Sequence, residues 1–134
     1  MLEKYPQQVK VVFKNFPLRS HKFAKPAAAA ALAAGAEGKF WEFHDALFEN
    51  HRSLNEAKVE EIRTSLNLDK EKFDAMRKSP QVNGQIQSDM AVGRQAGVSS
   101  TPSVFVNGRL QRNRSLEGLS AAVEAELKKI NKTE

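Results

Sequence analysis

The sequence predicts an α/β protein in the order strand, several helices, hairpin and closing helix. Three observations carry that prediction. Val9-Lys10-Val11-Val12-Phe13-Lys14-Asn15-Phe16 is rich in strand-forming residues, with Val9, Val11 and Phe13 on one face and Val12 and Phe16 on the other. From about residue 22 to residue 97 the pattern turns helical, with several local start signals. Asn107-Gly108 then separates two short β-type runs and supplies the residue pair that a tight hairpin turn demands.

Composition bounds the possibilities. A chain of 134 residues that is 40% hydrophobic can build a core, and we expect one domain spanning residues 1–134. A membrane span needs about 18 consecutive apolar residues, and the sequence has no such run. Met1-Leu2-Glu3-Lys4-Tyr5-Pro6 also lacks the long apolar stretch of a secretory leader. Cysteine is absent, which excludes disulfides, thiolate chemistry and Cys-based metal sites within these residues. The net charge of +5 is the balance of 21 basic and 16 acidic residues, and ordinary solubility accounts for it better than a nucleic-acid site.

Each element has a local reason. Burial on both faces suits Val9 to Phe16 as a strand under helices, and Pro17 ends it because proline has no N–H for a ladder. Residues 22–34 are alanine-rich and helical by propensity, with Pro26 tolerable only near the start. Gly35 and Gly38 stop that helix, and residues 39–51 form the next, where Phe40, Phe43, Leu47 and Phe48 supply an apolar face. Asn55 and Asp69 are positioned as N-caps, each preceded by a leucine that can staple to Val59 or Phe73. Ser79-Pro80 begins a further helix bearing Val82, Ile86 and Met90, closed at Gly97. Residues 103–107 and 109–112 are the hairpin strands. Ser115 caps a last helix expected to bury Leu116, Leu119, Val123, Leu127 and Ile130.

Few residue groups suggest chemistry by themselves. His44 and His51 are two helical turns apart, not the single turn that metal spacing favours, and His21 is remote in sequence. Trp41 among phenylalanines is expected in the core. Glu42, Asp45 and Glu49 fit a solvated helix side, and no phosphate-loop string accompanies the glycines. Arg109, Arg112 and Arg114 form a basic edge that suits protection of an edge strand or contact with an acidic peptide. Pro102, taken by itself, fits a trans proline beginning a strand or a cis proline in a loop.

Three strings in this order resemble the DsbA-like thioredoxin family. They are Phe13-Lys14-Asn15-Phe16-Pro17-Leu18 with His21 just beyond, Glu37 through Phe48 (EGKFWEFHDALF), and Gly97 through Arg109 (GVSSTPSVFVNGR). The resemblance covers nearly the whole chain. It implies a thioredoxin-like fold that is incomplete, with a helical insertion at about residues 20–97 between the first remaining strand and the C-terminal hairpin. The pattern is entered late: Leu2 to Pro6 resembles the end of the active-site helix, and the family's first strand and Cys-x-x-Cys have no counterpart. Met1 is then either an imposed start or the genuine start of a shortened protein.

The resemblance also implies that Pro102 is cis and that Thr101 pairs its backbone with an extended substrate, with Ser100 alongside. Exchange needs a thiolate, so this cysteine-free chain is expected to be redox-inactive with no catalytic residue, cofactor or metal. The alternative is a non-enzymatic peptide- or protein-binding module using the same loop and groove. Exposed strand edges would favour a homo-oligomer. The family suggests a bacterial setting, extracytoplasmic or cytoplasmic.

Overall fold

A computed structural model describes residues 1–133. They group into two units, one of residues 14–96 and one of residues 1–13 with the described residues from Gly97 onward.

The first unit is helical, and its central helix is α1, Ala24–Gly35. Ala27, Ala30, Ala31, Ala33 and Ala34 are buried, and a surface of methyl groups lets neighbouring helices approach closely. Around it pack α2 (Phe40–Glu49), α3 (Glu56–Ser65), α4 (Lys70–Arg77) and α5 (Pro80–Gln95). Phe43 and Leu47 of α2, Val59 and Ile62 of α3, Leu68, and Phe73 of α4 complete this core. Phe43 and Phe73 are fully buried, and their rings stack with centroids 5.5 Å apart.

The start signals act as the sequence indicates. Asn55 Oδ1 accepts Lys58 N–H at 2.8 Å, and Asp69 Oδ1 accepts Lys72 N–H at 2.9 Å. Ser79 Oγ accepts Val82 N–H at 3.2 Å, with Pro80 in the first helical position. Each cap satisfies an amide that the helix leaves unpaired. Leu54 and Leu68, the two staple residues, pack into the same core as Val59 and Phe73.

The second unit holds the sheet, formed by β1 (Phe105–Val106) and β2 (Arg109–Leu110). The pairing is antiparallel, Phe105 opposite Leu110 and Val106 opposite Arg109, and Gln111 N–H donates to Val104 O at 2.8 Å. Asn107 and Gly108 both have positive φ, 45° and 80°, as a two-residue hairpin turn requires. Helix α6, Leu116–Thr133, packs on β1. Its start is closed by Ser115 Oγ, which accepts Gly118 N–H at 3.0 Å.

Several expectations are corrected. Residues 9–16 adopt no strand, and among the described residues β1 and β2 pair only with each other. Alternation belongs to one segment, whereas a ladder needs two, and no described strand pairs with Val9 to Phe16. The hairpin strands are also two residues each instead of the four or five anticipated.

Trp41 is not core. It is 46% exposed, with its ring edge-on to Phe40 at 5.1 Å and to His44 at 5.3 Å. Helix α2 buries the stripe of Phe43 and Leu47, and at about 100° per residue Trp41 lies on the far side of it. Phe48, one residue past Leu47, is exposed for the same reason. On α6, Leu119, Val123 and Leu127 are half-buried, but Leu116 and Ile130 are 70% and 55% exposed. An 18-residue helix is about 27 Å long, whereas a two-residue strand spans about 7 Å and cannot cover both ends.

Candidate functional site

The residues expected to face a peptide lie in the loop between Gly97 and β1. Gly97, just past the end of α5, has φ 81°, a left-handed conformation that favours glycine. Ser99, Ser100, Thr101 and Pro102 follow and are all exposed. The Thr101–Pro102 peptide bond is cis. Ser103 Oγ donates to Ser100 O at 2.7 Å, which closes the loop across the proline.

The basic edge contributes a contact that the sequence did not reveal. Arg114 Nη1 donates to the carbonyl of Pro102, twelve residues earlier. The arginine reaches it from a turn fixed by side chains. Asn113 Oδ1 accepts both Ser115 N–H at 3.1 Å and Ser115 Oγ at 2.7 Å, and Ser115 then caps α6. Gly118 makes room for this turn, since a Cβ there would lie 2.4 Å from Asn113 Cγ.

These contacts leave an asymmetric set of backbone groups. Pro102 has no N–H, and its carbonyl is engaged by Arg114. Ser100 O is engaged by Ser103. The N–H and C=O of Thr101 make no hydrogen bond with the described residues. An exposed residue with both backbone groups open can pair with an extended chain, as at the edge of a sheet.

The hairpin beside the loop is tied to α6 through Asn107, whose Nδ2 donates to Glu126 Oε2 at 3.4 Å. The hydrogen bond from Lys129, reinforced by that from Asn107, holds the Glu126 carboxyl below its ordinary range. A second tie joins the N-terminal turn to α6. Lys4 Nζ and Tyr5 Oη both donate to Glu124 Oε1, at 2.6 and 2.8 Å, and these bonds lower the Glu124 carboxyl.

The sequence matches the family described as Thioredoxin over residues 1–125. The chain belongs to the thioredoxin family. A solved thioredoxin-like oxidoreductase from Silicibacter pomeroyi shares 30% identity and a TM-score of 0.76, covering 87% of this chain and 68% of that one. The thioredoxin-like fold is thus mixed α/β, with helices and a small two-stranded sheet, and the family is that of DsbA-like oxidoreductases. This thioredoxin-family chain is also similar to segments of larger proteins. It is 37% identical over 117 residues to Na(+)/H(+) antiporter NhaA 3 of Salinispora tropica, covering 86% of this chain and 18% of that one. Na(+)/H(+) antiporter NhaA 1 of Salinispora arenicola is 36% identical with the same coverage. The chain therefore spans under a fifth of the length of these curated relatives.

Other groups do not assemble into a site. His44 Nδ1 lies 3.0 Å from Asp45 Oδ1, His51 Nδ1 lies 2.9 Å from Phe48 O, and His21 is exposed. Among the described residues no cluster of His, Asp or Glu could hold a metal ion, and no helix is long and apolar enough to cross a membrane. A cleft of about 350 Å³ in the helical unit, lined by Lys25, Arg77, Lys78 and Ser79 among others, contains none of the residues singled out in the loop.

Proposed function

We propose that this chain is a single domain, residues 1–134, that supplies the peptide-facing part of a thiol–disulfide oxidoreductase, its helical insertion at about residues 20–97. The carrying observation is the open backbone of Thr101 beside Pro102. Ser100, Thr101 and Pro102 form the edge along which an extended peptide or protein substrate lies. Disulfide exchange requires attack by a thiolate, and the 134 residues contain none, so the chain by itself holds a peptide without exchanging its disulfides. The test compares the purified 134-residue chain with a version restored to carry a Cys-x-x-Cys pair upstream. Dithiol-dependent reduction is expected from the second alone. Exchange by the cysteine-free chain, or silence from the restored one, would refute the reading.

The alternative is a non-enzymatic peptide-binding module, which the same open backbone supports. Peptide binding lost on Pro102→Ala, in a protein that naturally begins at Met1, is its signature. In either case the short β1–β2 sheet leaves edges that favour self-association. Light scattering at high concentration is expected to show an oligomer, and a clean monomer would remove that part. The likeness to antiporter segments favours one further setting, a thioredoxin-family module carried by a membrane transporter. Membrane fractionation of the natural gene product tests it, and a product recovered only in the soluble fraction would dismiss it.

A further inference from the structure

We infer that Arg114, with Arg112 beside it, makes the Ser100–Pro102 loop selective for extended peptides that carry an aspartate or glutamate next to the residue paired with Thr101. The inference rests on the reading of that loop as a peptide-binding edge. The bond from Arg114 Nη1 to Pro102 O anchors a cation on the residue that follows Thr101. A guanidinium has five N–H donors in a planar fork, and one is used on the carbonyl. The others remain for a ligand, and a carboxylate matches the fork.

The surrounding charges favour the same partner. Neither Arg112 nor Arg114 forms an ion pair with any described residue. Arg109 differs, since it acts on Glu126 of α6, which already takes Lys129 and Asn107. Glu124 is occupied by Lys4 and Tyr5. Arg112 and Arg114 are therefore left without a carboxylate partner among the described residues. Pairing centres on Thr101 because Pro102 has neither backbone group to offer. Residues of an extended peptide rise about 3.3 Å each, so an acidic side chain within one or two positions of the paired residue comes into reach.

The experiment uses the 134-residue chain and fluorescent extended peptides in which Asp, Asn or Lys is walked through each position. Fluorescence anisotropy at low and high salt reads the affinities. At one position Asp is expected to bind about fivefold tighter than Asn, the upper range for an exposed ion pair, with Lys weakest. High salt should compress that ratio. Arg114→Gln should abolish most of the ratio, Arg112→Gln part of it, and Arg114→Lys should restore some, with circular dichroism confirming that each variant folds. Equal binding of Asp and Asn peptides at every position would overturn the inference while leaving the peptide-binding loop standing. So would a preference that survives both glutamine variants. Failure of every peptide to bind would remove the loop reading, and the inference with it.

Discussion

Asn15 gives two donors to a single oxygen of Asp89. Its backbone N–H lies 3.0 Å and its side-chain Nδ2 2.8 Å from Asp89 Oδ2, while Gln85 Nε2 donates to the other oxygen at 2.8 Å. Asp89 is 2% exposed and Asn15 4%, so these bonds replace water that neither residue can reach. Lys14 Nζ stands 3.7 Å from Asp89 Oδ1, but its side chain is half in solvent and contributes little. The carboxylate thereby pins the segment after Phe13 to the middle of α5. Asp89→Ala would orphan two buried donors of Asn15 and should cost about 3 kcal/mol. Asp89→Asn can keep its oxygen toward Asn15 and turn its amide toward Gln85, whose side chain can rotate away. Urea unfolding should rank wild type above Asn and Asn above Ala. Equal stability of the two variants would show that the two bonds from Asn15 carry no weight.

Phe73 is, with Phe43, one of the two largest fully buried side chains of the helical unit. It is fully buried, stacks on Phe43 at 5.5 Å, and lies under the Arg77 guanidinium at 5.5 Å. The residues that α1 buries in the same core are alanines, whose side chains cannot swing in to fill a void. Phe73→Ala should therefore sit toward the costly end of large-to-small changes, about 3–5 kcal/mol. Loss of helical circular dichroism at a lower temperature than wild type is the expected outcome. A shift within error would mean that the core relaxes around the void.

Glu60 and Arg63 supply a pH signature. Arg63 Nη2 and Nε donate to the two Glu60 oxygens at 2.6 and 3.0 Å, while Nη1 reaches Leu68 O at 2.6 Å. These hydrogen bonds hold the Glu60 carboxyl at about 2 against an ordinary 4.5, outweighing the partial desolvation that raises it. A depressed folded value gives stability that is complete above the unfolded value. That contribution fades as pH falls from 4.5 toward 2. The pair is solvated, so the sharper readout is the titration itself. Carboxyl NMR should find Glu60 near the low value in wild type and close to ordinary in Arg63→Gln. A wild-type midpoint near 4.5 would show that the fork does not persist in solution.

What could be read in the sequence was local. Asn55, Asp69 and Ser79 cap helices because a cap needs only its own next three residues, and Asn107-Gly108 turns because both residues accept positive φ. The Ser100–Pro102 loop was singled out by a short motif in the same way, and its peptide-facing role is the proposal made above. Relationships across the chain stayed hidden. The strand pattern at Val9 to Phe16 says nothing about a partner, and none of the described strands pairs with it. Apolar residues at Trp41, Phe48, Leu116 and Ile130 promise burial only if something covers them. Asp89 looks like any surface acid on a helix until Asn15, 74 residues earlier, is seen to bind it. Arg114 likewise reads only as part of a basic edge until Pro102 supplies a carbonyl.

Gly118 offers a final test, because two effects of opposite sign meet there. In the first turn of α6, replacing glycine with alanine should gain up to about 1 kcal/mol of helix propensity. The new Cβ, however, would fall 2.4–2.7 Å from the Asn113 side-chain atoms. Those atoms are the end of a side chain and can move, but moving them breaks the bonds from Ser115 N–H and Oγ. The two terms should nearly cancel, leaving the melting temperature of Gly118→Ala close to wild type. The turn carrying Arg114 should nevertheless loosen, with faster amide exchange at Ser115 and altered shifts at Thr101 and Ser103. Asn113→Ala combined with Gly118→Ala should raise stability above Gly118→Ala alone, since the clash is gone. A double variant no more stable than the single one would mean that Asn113 swings clear of the new methyl without strain.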